Sequence, residues 1–249
     1  VTALIAVAHG SRDPRSAATV AAMVSELRLA RPGLDVRLSF LDLNAPSVSQ
    51  VIDSVAAQGY REAVVVPLLL GNAFHARVDL PAMLALACLR HPELTLIQAE
   101  VLGTDARLAA AVRERILDTD VTVDDPSIGI ALAGVGSSST AANERTKAVA
   151  AQVCSGTRWR VGSCFVTATE PAVEQAVAEL RASGAGRIVV APWFLAPGLL
   201  TDRLFAATPG LAHAATIGAH RGLVEVALDR FDAARAAMHS GGAAARVVA

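Results

Sequence analysis

Two histidines stand at the points of this chain where chemistry would be done. His9 follows an apolar run at residues 3–8 and opens the stretch His9-Gly10-Ser11-Arg12-Asp13-Pro14. His75 lies in GNAFHARVDLP, just beyond a second apolar run at residues 63–70. An imidazole is both a base of near-neutral strength and a ligand of intermediate softness. Two of them facing one crevice could bind a divalent cation, or one could bind it while the other carries protons.

The elements that must position them follow from the apolar pattern. Residues 3–8 read as a strand, and a polar turn leads from it into an amphipathic helix over residues 15–31, with Val20, Met23, Val24 and Leu27 at helical spacing and a stop at Pro32-Gly33. In open α/β sheets ligands collect beyond the carboxyl ends of the strands, so a histidine just past the first strand points to a site rather than to the core. Gly10 permits a backbone turn that most residues resist. Further along, residues 35–41 read as a strand, 46–58 as a helix begun by Pro46 and closed by Gly59, and 63–70 as a fully buried strand. A helix at 80–89, a short strand at 94–98 and a helix at 105–117 follow. Strands alternating with helices imply crossover connections and a mainly parallel sheet, the α/β class. Polar residues 119–127, with Pro126, read as a linker.

Beyond that linker the pattern starts again. Residues 128–133 match the first strand, and Phe40 pairs with Phe165, Pro46 with Pro171, Gly59 with Gly184 and Pro67 with Pro192, each 125 residues apart. This is an internal duplication, which predicts an N-terminal lobe at 1–118 and a C-terminal repeat at 128–249. The difference between the halves is informative. At the same spacing His9 falls on Gly134, Asp42 on Thr167, and His75 opposite the leucines of PGLLTDRL, so both distinctive histidines belong to the first lobe.

Composition narrows the alternatives. The chain has 249 residues, 53% of them apolar, enough for sizeable cores. No apolar run reaches the roughly 18 residues of a membrane helix, and the start carries no secretory pattern. Cys88, Cys154 and Cys164 form no CxxC and suit a reducing cytoplasm. A net charge of −1 argues against a nucleic-acid partner. A histidine phosphatase would need arginine where Ala8 stands, GVGSSST has the wrong spacing for a serine hydrolase, and neither GxGxxG nor a P-loop occurs.

The segments AHGSRDPR, Phe40-Leu41-Asp42 followed by Pro46-Ser47, and VVVPLLLGNAFHARVDLP resemble the CbiX/SirB-type sirohydrochlorin chelatases, class II tetrapyrrole chelatases. The resemblance covers essentially the whole chain. It implies two similar flavodoxin-like α/β lobes with mainly parallel sheets, the second degenerate, and insertion of Fe2+ (for siroheme) or Co2+ (for cobalamin) into sirohydrochlorin, with the metal as substrate and no tightly bound cofactor. Residue by residue, it implies that His9 and His75 coordinate the metal and accept pyrrole protons. Asp42 stands where many members carry glutamate, a departure that shortens the reach of the carboxylate. For a substrate rich in carboxylates, Ser11, Arg12, Arg15, Arg77 and Arg203 become candidate binding residues. The duplication supplies within one chain what a half-length relative would need a dimer to make, so a monomer is expected.

The chemistry is coherent without the family. Metal insertion removes two pyrrole protons and strips water from the cation, and imidazole serves both steps. The competing reading is a carrier of metal or tetrapyrrole that uses the same histidines without turnover. His91, ahead of Pro92, reads as a helix C-terminal cap, Asp79 as a cap before Leu80-Pro81, and His220 as structural rather than functional.

Overall fold

The computed structural model describes residues 2–71, 78–167 and 170–240. In chain order the first half contains β1 (Thr2–Ala8), α1 (Pro14–Ala30), β2 (Val36–Phe40), α2 (Val48–Ala57), β3 (Glu62–Pro67), α3 (Leu80–Arg90), β4 (Thr95–Gln98) and α4 (Ala106–Leu117). The second contains β5 (Ile128–Gly134), α5 (Thr140–Cys154), β6 (Arg160–Phe165), α6 (Val173–Ala182), β7 (Arg187–Pro192), α7 (Leu199–Ala206), β8 (Ala212–His213) and α8 (Arg221–Ser240). Two four-stranded sheets result, ordered β2-β1-β3-β4 and β6-β5-β7-β8, with every pairing parallel. This is the α/β architecture expected, and β1 and β3 are neighbours as a flavodoxin-like order requires.

All seven residues of β1 are buried, because a central parallel strand is covered on both faces. Ala3, Ile5 and Val7 join Val48, Val51, Ile52 and Val55 of α2 and Leu80, Leu84 and Ala87 of α3 in one apolar cluster. Leu4 and Ala6 alternate to the other face and are equally buried. The second sheet repeats the plan, with Ala131, Ala133, Cys164 and Val190 against Val173, Ala176, Val177 and Leu180 of α6. Among the described residues no helix is long and apolar enough to cross a membrane.

Two local expectations change. Pro46 does not begin α2. Ser47 caps it instead, its Oγ accepting from the Gln50 amide while Gln50 Oε1 accepts from the Ser47 amide, a reciprocal box that fixes the start at Val48. Asp79 precedes α3 without a side-chain cap bond. His91 does stand at the C-cap of α3, with Nε2 2.6 Å from Asp53 Oδ1. His220 is structural in this fold: Nδ1 accepts from the Gly222 amide at the start of α8, so Nε2–H donates to Glu114, whose carboxyl that bond holds below its ordinary range.

The compact units do not coincide with the repeats. One comprises residues 1–103 and 223–249, the other 104–222. Within the first, α8 is held by Arg230, whose guanidinium donates to the Val101 and Leu102 carbonyls, and by the Arg31–Asp232 ion pair of α1 and α8. Within the second, Arg113 of α4 donates to the Val153 and Gln152 carbonyls at the end of α5. Each half of the sequence thus contributes its last helix to the other unit, and the boundaries at 118 and 128 mark the repeat rather than the packing. Leu84→Ala, in the fully buried α2–α3 layer, should lower unfolding free energy by about 2–5 kcal/mol in urea titrations.

Candidate active site

The parallel ladder between β1 and β2 continues beyond the strands. Leu41 N–H donates to Ala8 O at 2.9 Å and Asp42 N–H to His9 O at 3.1 Å. His9 and Asp42 are therefore held at adjacent positions beyond the carboxyl ends of two neighbouring strands. Both are exposed. Gly10 makes the approach possible: its φ is +95°, and a Cβ there would overlap the Asp42 carbonyl oxygen and lie 3.3 Å from Asn44 Oδ1. On the other side of β1, the Leu68 amide donates to Val7 O, so β3 delivers its exit to the same end of the sheet.

His9 Nδ1 lies 3.3 Å from the Gly10 carbonyl. A ring nitrogen facing a carbonyl carries the proton, which selects the tautomer whose Nε2 has the lone pair, the form able to bind a cation or accept a proton. Asp42 Oδ1 accepts from the Leu43 amide at 2.7 Å, and Oδ2 has no hydrogen-bond partner among the described residues.

The candidate cations separate. Arg12 is exposed in the loop after Ser11 and makes no ion pair among the described residues. Arg15 is engaged at home: its Nε donates to both carboxylate oxygens of Asp13, and Asp13 Oδ1 also accepts the Arg15 amide, capping α1. Asp105 and Arg107 repeat this arrangement at α4, so the Asp-X-Arg spacing was a visible sign that Arg15 has a local partner. Ser11 Oγ accepts from the Asp13 amide, closing the turn. Arg203 is exposed on α7 in the second unit. His75 and Arg77 lie outside the described residues, and among those described no group of three His, Cys, Asp or Glu side chains forms a metal-holding cluster. Sequence reading missed Asn44, whose Oδ1 accepts the Ser11 amide at 2.6 Å.

The second unit carries the same backbone without the imidazole. Val166 and Thr167 amides donate to Gly134 and Val135 carbonyls, as Leu41 and Asp42 do to Ala8 and His9. The Gly10 turn recurs at Gly136, with φ +93°, and Ser139 N–H donates to Ser137 Oγ as Asp13 N–H does to Ser11 Oγ. His9 therefore corresponds to Val135, one residue beyond the Gly134 expected from a constant spacing. Gly134 takes the place of Ala8, where a Cβ would come within 2.7 Å of Thr146 Cγ2.

Two outcomes follow from this geometry. Gly10→Ala should separate the His9 and Asp42 turns, seen as amide shifts at residues 9–12 and 41–44 and a fall in any activity the site has. Asp13, held below the ordinary carboxylate range chiefly by the Arg15 side chain, contributes stability that is complete above about pH 4 and is lost as pH falls through the depressed value. Asp13→Asn should flatten that acid limb in thermal melts recorded against pH.

Comparison with known proteins agrees with this architecture. The chain is 28% identical over 206 residues to the sirohydrochlorin ferrochelatase of Priestia megaterium, covering 81% of this chain and 76% of that protein. It is 26% identical to the sirohydrochlorin cobaltochelatase of the same organism, covering 80% of this chain and 65% of that one. Its fold is similar to the structure of SirB from Bacillus subtilis with Fe3+, with a TM-score of 0.81, 24% identity and coverage of 96% and 98% of the two chains. The CbiX family model matches twice, over residues 3–119 and 129–234, once for each repeat. The chain belongs to the CbiX family.

Proposed function

We propose that this protein is a sirohydrochlorin chelatase that inserts Fe2+ or Co2+ into the tetrapyrrole, with both as substrates and no resident cofactor. The observation that carries the reading is the asymmetry between two near-identical strand-end frameworks. Where the first presents His9 and Asp42, the second presents Val135 and Thr167. Titratable groups are kept at one of two equivalent places, which is what an active lobe and a scaffolding lobe would require.

In the reaction two pyrrole N–H protons leave as a divalent cation enters. The single lone pair on His9 Nε2 serves the two roles in turn, holding the cation and then, once the cation has passed to the pyrrole nitrogens, accepting one pyrrole proton, with His75 as its partner for the metal and for the second proton. Asp42 Oδ2 adds negative charge that draws the cation in. An imidazole and a carboxylate release iron or cobalt more readily than thiolates would. Two of the thiols are poorly suited to compete: burial pushes Cys164 up to about 12 and Cys154 up to about 11, so neither is a thiolate near neutral pH. All three cysteines are free, which suits a reducing cytoplasm. Arg12 is the arginine best placed to meet a substrate carboxylate, with Ser11 beside it. Arg15 is second to it because Asp13 already holds its guanidinium, and Arg77 and Arg203 are further candidates. Within one chain the two lobes make a monomer sufficient.

Anaerobic turnover of sirohydrochlorin, followed by absorbance with Fe2+ and with Co2+, tests the reading. His9→Ala and His75→Ala should each lose about 100- to 10,000-fold in rate, the usual contribution of a positioned base. Arg12→Ala should raise KM about tenfold at little cost in kcat, the loss of one charge-assisted bond. Stoichiometric binding with no insertion above the uncatalysed rate would instead identify a carrier.

A further inference from the structure

We propose that Asn44 is a positioning residue for the chelatase reaction: by accepting the Ser11 amide hydrogen it locks the turn that bears His9 to the turn that bears Asp42. The inference rests on the chelatase reading above and assigns a residue that neither spacing nor charge had marked.

Three observations carry it. First, the bond itself, 2.6 Å from Ser11 N to Asn44 Oδ1, links residues 33 apart in sequence and two removed from His9. Second, the chain contorts to make it. The Asn44 amide donates to Asp42 O at 2.8 Å across Leu43, whose φ is +63°. That bond across a residue with positive φ is the pattern of a classic γ-turn, which is rare and strained in a residue other than glycine. Leu43 is 50% exposed, so its own packing does not explain the conformation. Strain of this kind persists where the surroundings impose it and concentrates at functional sites. The turn that strains Leu43 is the one that directs Asn44 back at Ser11.

Third, the second unit satisfies the equivalent amide in another way. Ser137 N–H donates at 2.9 Å to Asn143 Oδ1, and Asn143 Nδ2 donates back to Ser137 O, so the turn is tied to its own helix, α5. In the first unit the Ser11–Asn44 bond ties the turn that carries the imidazole to the turn that carries the carboxylate.

The test compares Asn44→Ala and Asn44→Asp with wild type and His9→Ala. Aspartate keeps an acceptor oxygen at the same reach, and alanine does not. Asn44→Ala should lower kcat about 10- to 100-fold, the scale of a small misplacement of reacting groups, with KM for sirohydrochlorin within about threefold and the melting temperature nearly unchanged. Asn44→Asp should recover most of the rate. Amide exchange at Ser11 should accelerate in the alanine variant and not in the aspartate variant. A kcat for Asn44→Ala within about twofold of wild type, equal loss in both variants, or a rate loss matched by an equal loss of stability would each overturn the proposal. If His9→Ala instead keeps the wild-type rate, the chelatase assignment fails. The Ser11 exchange measurement then still reports whether Asn44 holds the turn.

Discussion

The site depends on two main-chain bonds that outlast the β-ladder. Strands usually part where their hydrogen bonding ends, and loops beyond them go separate ways. Here Ala8 and His9 go on accepting from Leu41 and Asp42 after β1 and β2 have finished, so the first residues of two loops stay in strand register. The main chain at 9 is thereby tied directly to the main chain at 42. Gly10 is the condition for this, because at its position the second loop's carbonyl occupies the space where a Cβ would be. The buried sheet beneath, with β1 sealed on both faces, is what gives these bonds a rigid origin.

Much of this could be read from the residues. Apolar runs ended by proline or glycine gave the strands, and helical spacing gave the helices, because burial on one or both faces leaves a period in the sequence. Other features leave none. The match of His9 to Gly134 failed by one residue because the path between the paired strand ends is one residue longer in the first repeat, from Ala8 to Phe40, than in the second, from Gly134 to Phe165. A constant spacing cannot register such a gap. Which sheet a helix covers is equally hidden, since an amphipathic stripe says only that a face is buried. Asn44 escaped notice because a side chain that serves a distant amide has neither period nor charge to betray it. Arg15, by contrast, had a visible signal of its local partner, Asp13 two residues earlier.

Duplication has left two copies of one scaffold under different demands. Gly136 and Ser137 preserve the turn of Gly10 and Ser11, and Ser139 caps α5 as Asp13 caps α1. What changed are the groups that project from that framework, imidazole to isopropyl and carboxylate to hydroxyl. The backbone was kept because the fold requires it.

The exchange of α4 and α8 between units constrains how such a gene can be rearranged. A cut at the repeat boundary would not release two modules. Each fragment would bear a helix shaped for the other's sheet and lack the one that closes its own. Recombination could shuffle this chain only as a whole, or at points near residues 103 and 222 where packing, rather than ancestry, divides it.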